Sequence, residues 1–255
     1  MMPLVGAEFR KLFTTRLWLW MLLVSAAWAA GYCALAIAFD TGKSGLMPPL
    51  SGAAGQHALF AIGPGGAGPL AGVLAAIGVT GELRHRTAAM TFLATPRRGR
   101  VFGAKLVTYL LAGGGLALAS ILVSLMVVLP GLTAKGIPIS LAENGNLTVL
   151  AAVIASAGIF GIAGAGLGAL AGGQLATVAG MLMYLYVAEP LISHITGLHE
   201  WTAYLPGVAA DGLTQATQPG VPLLTPWLAG VVFACWAAAF AAAGTLRTVR
   251  RDITL

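Results

Sequence analysis

Several short runs in this 255-residue chain carry side chains that could do chemistry. Gly42-Lys43-Ser44 has the ending of a phosphate-binding loop, in which backbone N–H groups cradle phosphates and the lysine reaches the outer ones. That loop requires glycine at position 37, where this chain has Ile37, so the run is not read as a nucleotide site. His194-Ile195-Thr196-Gly197-Leu198-His199-Glu200 offers two imidazoles and a carboxylate, which are zinc-ligand types. Its spacing is not the His-Glu-x-x-His that sets two imidazoles on one helix face, so no metal site is expected. Cys33 and Cys235 stand alone inside apolar runs, as small hydrophobes do. Glu189-Pro190 closes another apolar run and has two readings: a buried functional acid, or a carboxylate at the membrane interface. Asn146-Leu147-Thr148 has the form of a glycosylation acceptor, relevant only to a eukaryotic secretory route. No catalytic group is assigned. What remains is a crowd of cations, Arg84, Arg86, Arg97, Arg98, Arg100 and Lys105, interleaved with apolar residues.

Elements that could position such a crowd follow from composition. The chain is 58% hydrophobic and 9% charged, against about 25% charged in an ordinary soluble domain. Its charged residues are too few to coat a soluble fold, which leaves an all-α polytopic membrane protein. The 35 glycines suit helices that approach one another closely in lipid.

Charge-free runs cover 17–39, 44–81, 106–134, 144–188 and 212–246. A pass needs about 20 apolar residues. Pro48-Pro49 and Ser51-Gly52 shorten the second run, Pro130-Gly131 ends the third, and Gly172-Gly173-Gln174 divides the fourth. Pro219, Pro222 and Pro226 delay the last. Six spans are predicted at about 17–39, 58–80, 106–129, 147–170, 175–192 and 227–246. With the N-terminus inside, 12 of the 14 Lys and Arg fall on the inner side, leaving Lys43 and Lys135 outside. Both termini are therefore expected in the cytoplasm. The first apolar run is longer than a signal peptide's and is expected to be kept as a span, although Ala26-Ala27-Trp28-Ala29-Ala30 imitates a cleavage site. Gly63-Pro64-Gly65-Gly66 and Gly68-Pro69 should break or kink span 2, as a hinge or as part of a cavity wall. Gly161, Gly164, Gly168 and Gly172 form a small-residue stripe on span 4.

Before span 1, Val5, Phe9, Leu12 and Phe13 recur at helical spacing, with Glu8, Arg10 and Lys11 between them. This predicts an amphipathic helix over 2–14, lying in the interface plane. Between spans 2 and 3 the segment 82–100 places Ala88, Ala89, Met90, Phe92 and Leu93 between two basic clusters. Thr87 suits its start, and Thr95-Pro96 suits its end and the opening of the next helix. Two readings stand: a helix that docks on a cytoplasmic partner, or a basic loop held by lipid headgroups. Glu82 and Arg86 stand at i, i+4 and could pair.

The string Glu82-Leu83-Arg84-His85-Arg86-Thr87, with Thr91-Phe92-Leu93, Thr95-Pro96-Arg97-Arg98-Gly99-Arg100-Val101 and Lys105, resembles the permease subunits of ABC-2 type ABC transporters. The resemblance implies that 82–100 holds a coupling helix. Its docking or framing residues would be Glu82, Arg84, Arg86, Thr87, Phe92, Pro96, Arg97, Arg98 and Arg100. The 2–14 helix, with Phe9, Arg10, Lys11 and Phe13, is similar to the family's elbow helix. Tyr204-Leu205-Pro206-Gly207-Val208-Ala209-Ala210 is similar to the family's extracellular re-entrant helices between spans 5 and 6. Leu83 stands where the family often has an aromatic.

The implied protein is a permease without its own ATPase site, and so not itself an enzyme. It would work with a separate ATP-binding subunit that carries ATP and Mg, and with a second copy or a similar permease. Lipids are its other expected partners, nucleic acid is not one, and the expected place is the bacterial plasma membrane. Export of a hydrophobic or amphipathic substrate is implied by the resemblance. The competing classes are an ion-coupled carrier, a membrane-embedded enzyme, or a structural membrane protein acting without an ATPase. The first two need ionisable groups deep in the membrane, and the predicted spans carry none beyond Glu189 and His57 near their ends.

Overall fold

The computed structural model describes residues 2–40, 48–84, 98–139, 141, 144–193, 195, 199–216 and 220–250. Every regular element among the described residues is helical. Six helices are long and apolar enough to cross a membrane, so the chain is a multi-pass membrane protein. Span 1 is Leu17–Ala38, span 2 Ala53–Glu82, span 3 Gly99–Ala134, span 4 Asn146–Ala171, span 5 Gln174–Ser193 and span 6 Pro226–Val249. An N-terminal helix, Met2–Thr14, precedes them.

Span 4 is the centre of the bundle and packs against spans 2, 3 and 6, while span 1 packs on span 3. Glycine explains the closeness. A Cβ at Gly164 would stand 2.1 Å from the carbonyl oxygen of Gly72 on span 2, and one at Gly166 2.5 Å from the backbone of Phe240 on span 6. Large apolar side chains such as Met126, Leu175 and Trp227 are exposed on the outside. In water such a surface would aggregate. Against lipid tails it is solvated, which accounts for the scarcity of charge.

Span 2 is broken where its glycines and prolines predict. Helix Ala53–Ile62 gives way to a 3-10 turn, Pro64–Gly66, and helix resumes at Ala67. A broken helix frees carbonyls that lipid cannot satisfy. The Trp28 indole N–H of span 1 donates to one of them, the Ile62 carbonyl, at 3.3 Å. The span also begins before Ala58, because Gln56 is buried and donates to the Pro138 carbonyl at 3.1 Å.

Pro130 does not end span 3. The helix runs from Arg98 to Ala134 with Pro130 inside it. Proline removes one hydrogen bond, but Val128 and Leu132 on either side are fully buried in the core with Ile37. Packing against span 1 outweighs the lost bond. At about 1.5 Å per residue the helix is roughly 55 Å long, well beyond the ~30 Å of hydrocarbon, so it projects from the membrane. Gly172, in the left-handed region at φ +74°, caps span 4 and lets the chain reverse into span 5.

Asn146, at the start of span 4, is fully buried, and its side-chain amide donates to Gln56 Oε1 at 3.0 Å. A buried, bonded amide cannot carry a glycan, so the acceptor pattern is structural.

Candidate functional site

Four charged side chains meet where the N-terminal helix crosses the end of span 2 and the start of span 3. Lys105 Nζ donates to Glu8 Oε2 and to Glu82 Oε1, each at 2.6 Å. Lys11 Nζ donates to Glu8 Oε1 at 2.6 Å and to Glu82 Oε1 at 3.3 Å. The contacts close into a ring of alternating sign: Glu8, Lys105, Glu82, Lys11 and back to Glu8. Glu8 and Lys105 are buried, at 7% and 6% exposure, while Lys11 and Glu82 form the wetter side. Leu12, Phe102 and Tyr109 pack beside them with Leu74 and Val79, which keeps water from the buried half.

The electrostatics are self-contained. Two carboxylates face two ammonium groups, so the ring carries no net charge. Burial pulls the Lys11 ammonium down, but its hydrogen bond to Glu8 and the charges of Glu82 and Glu8 more than offset this, so its pKa stands above the ordinary lysine value. A raised lysine pKa contributes stability throughout neutral pH, lost only as pH climbs through that higher value. Mutual attraction repays the removal of charge from water only where each group is paired and bonded, as here. The ring joins three helices: the N-terminal helix through Glu8 and Lys11, span 2 through Glu82 and span 3 through Lys105.

Of the residues singled out from the sequence, Glu82 and Lys11 are brought together. Phe9 is half-buried against the same cluster, stacked on Phe13 at 6.1 Å, and Phe13 meets Trp18 edge-on at 5.1 Å. Arg10 and Arg100 are exposed. Arg84 ends the span 2 helix and Arg98 begins the span 3 helix. Arg86, Thr87, Phe92, Pro96 and Arg97 lie outside the described residues, so the Glu82–Arg86 pairing and the coupling helix do too.

Glu8 is a correction to the amphipathic pattern, which set it on the polar side with Arg10 and Lys11. It faces the bundle because Lys105 waits there, 97 residues away in sequence. Two signals pointed to the cluster: Glu8 and Glu82 are isolated acids in basic segments, and Lys105 opens a long apolar run.

At the far end of the bundle Glu189 is buried, at 2% exposure, so it is not a solvated interfacial carboxylate. Its Oε1 accepts the backbone N–H of Val208 at 2.7 Å. That N–H lies in the first turn of helix Pro206–Thr214, which packs on spans 4 and 6. Helix N-termini leave N–H groups without intrahelical partners and attract negative charge. Glu189 thus caps this helix from span 5. Gly207 makes room for it, since a Cβ there would lie 2.6 Å from Glu189 Oε2. Glu189→Ala should release the cap at a cost of about 1–3 kcal/mol, read as faster amide exchange at Val208. Unchanged exchange in that variant would refute the cap.

His199–Thr202 and Pro206–Thr214 are short helices between spans 5 and 6. On the same side as Glu189, the ring of His57 bonds the Asn144 carbonyl. Neither a protein-family model nor a curated protein matches this chain.

Proposed function

We propose that this chain is the permease subunit of an ATP-driven exporter. It forms the path for a hydrophobic or amphipathic substrate and takes its energy from a separate ATP-binding subunit. The observation that carries this reading is the charged ring. Residues 85–97 join Arg84 to Arg98, and Glu82 and Lys105 tie the two helices entered there to the N-terminal helix. A load applied at 85–97 enters the bundle through both helices at once. The ring shares it with an amphipathic helix anchored in the interface. That is a mechanism for turning a push from a docked partner into a tilt of spans 2 and 3.

In this reading the basic face is cytoplasmic, as the charge distribution favours. Arg84, Arg86, Thr87, Phe92, Pro96, Arg97, Arg98 and Arg100 meet the ATP-binding subunit, which holds ATP and Mg. A second copy or a similar permease completes the path across a bacterial plasma membrane. His199–Thr202 and Pro206–Thr214 serve as re-entrant helices that close its outer end, with Glu189 tying the second of them to span 5. An ion-coupled carrier or membrane enzyme would need a reactive acid within the path, and Glu189 commits Oε1 to the helix cap while its buried Oε2 takes no hydrogen bond among the described residues.

The test is affinity purification from native membranes. An ATP-binding protein should co-purify with the wild-type chain, and combining Arg97→Glu with Arg98→Glu should reduce its recovery about tenfold, as expected when attractive interface charges become repulsive. Equal recovery with the double variant would remove the docking role from this segment.

A further inference from the structure

We propose that the cleft between spans 4, 5 and 6 is a binding site for one unbranched alkyl chain. The proposal rests on the membrane placement of the six helices and is independent of any ATPase partner. The cleft holds about 380 Å³, at the small end of the ~300–1,000 Å³ typical of ligand sites. Along span 4 its wall runs from Phe160 to Ala171, roughly 16 Å of helix, so it is long for its volume.

Its chemistry selects hydrocarbon. Among the described residues no Asp, Glu, Lys, Arg or His lines it; the wall is built from residues such as Leu167, Met181, Phe233 and Phe240. Of the three polar side chains in the wall, Thr177, Tyr184 and Trp236, two are already engaged. The Thr177 hydroxyl donates to the Gly173 carbonyl at 2.6 Å, and the Trp236 indole N–H donates to the Tyr204 carbonyl at 2.9 Å. Apart from the Tyr184 phenol, a polar ligand would find little to replace the hydration it leaves behind, and water would lack the several partners that hold buried waters. An alkyl chain loses nothing and fills a gap that would otherwise leave apolar atoms without neighbours.

The gap is built into span 5, the least buried of the six helices. Met181 holds it on span 2, where its Sδ and Cε would lie 3.2 Å from a Cβ at Gly72. The Glu189 cap holds its far end to helix Pro206–Thr214. Between these ties the helix widens into a π-helical turn, Tyr184–Ala188. Such turns are frequent at functional sites, and Tyr184 and Leu185 of this one face the cleft. Gly180 also lines it, and a Cβ added there meets nothing within 4 Å.

Gly180→Phe, whose Cβ has open space, is the variant that fills the site, and Ala176→Leu is a milder second filling. The full chain in phospholipid nanodiscs is photolabelled with palmitic acid bearing a diazirine on its chain, and the labelled peptides are mapped by mass spectrometry. Label is expected on the peptides of spans 4 and 6 that carry Phe160, Phe233 and Phe240, competed by unlabelled palmitic acid. Gly180→Phe should weaken that competition about tenfold, the effect of excluding about two methylenes. Labelling near Leu122, exposed on span 3, is the lipid-facing control and should not change. A parallel arm carries the diazirine on a phospholipid acyl chain. Label from this arm on the same peptides should also be displaced by free palmitic acid, as one site for one alkyl chain requires; label that is not displaced is contact with bulk lipid and counts against the site. Uncompeted labelling in either arm, or labelling in both filling variants equal to that of the wild type, overturns it.

Discussion

Lys105→Met should destabilise the protein by about 3 kcal/mol, the lower end of the cost of breaking a buried ion pair, because Glu8 keeps its contact with Lys11. Methionine keeps an unbranched apolar stem of similar length as far as Cε and removes the ammonium. Glu8, at 7% exposure, then loses the donor at 2.6 Å that compensates its burial, while Lys11 continues to hold its other oxygen. Glu82 loses a contact too, but from the wetter side of the ring. In detergent micelles this loss should lower the unfolding midpoint by roughly 10 °C, at about 2–4 °C per kcal/mol for a chain near this size. The second variant gives the prediction its edge. Glu8→Gln combined with Lys105→Met removes both buried charges, so the double variant should be more stable than Lys105→Met alone. A cycle in which the two substitutions simply add would show that the buried contact carries no coupling energy.

Gly164→Ala should be nearly as damaging, although it adds a single methyl group. That carbon would stand 2.1 Å from the Gly72 carbonyl oxygen and 2.7 Å from its Cα. The obstacle is backbone on both sides, so no side chain can rotate away. Spans 2 and 4 must separate, and span 4 also carries the contacts to spans 3 and 6. The cost should reach the upper part of the ~1–3 kcal/mol range for overpacked cores, seen as lower yield of monodisperse protein and earlier unfolding. Gly115→Ala is the control. Gly115 lies inside the span 3 helix with nothing within 4 Å of an added Cβ, so alanine there should be neutral or stabilising by up to about 1 kcal/mol. If both substitutions behave alike, close approach of the backbones is not what glycine provides at position 164.

These two sites mark the limit of what the linear chain discloses. The count of spans, the break in span 2 and the reversal at Gly172-Gly173 are legible because each is a local matter of hydropathy length or of backbone conformation. The stripe of glycines on span 4 is legible as a packing feature, but its partners are not. Gly161 meets the Tyr109 carbonyl on span 3, Gly164 meets Gly72 on span 2, and Gly166, outside the stripe, meets span 6. Helical periodicity reports which residues share a face and says nothing about what arrives there. Pro130 misleads for a related reason, because the burial of Val128 and Leu132 that carries the helix past it depends on span 1. Glu8 is the clearest case. Within thirteen residues of amphipathic helix it reads as a solvated neighbour of Lys11, and only the approach of Lys105 makes it a buried ion. Glu189 was visible as an acid at the end of a span, whereas its role as a cap depends on Val208, nineteen residues on.

The central claim is that this chain supplies the path while another chain supplies the energy through the segment between spans 2 and 3. The most direct measurement is the composition and energetics of the complex isolated from native membranes in mild detergent and returned to proteoliposomes. An ATP-binding chain should be recovered in stoichiometric amount, and transport should stop when it is stripped away. Full transport by this chain alone, with no ATPase subunit present, would contradict it.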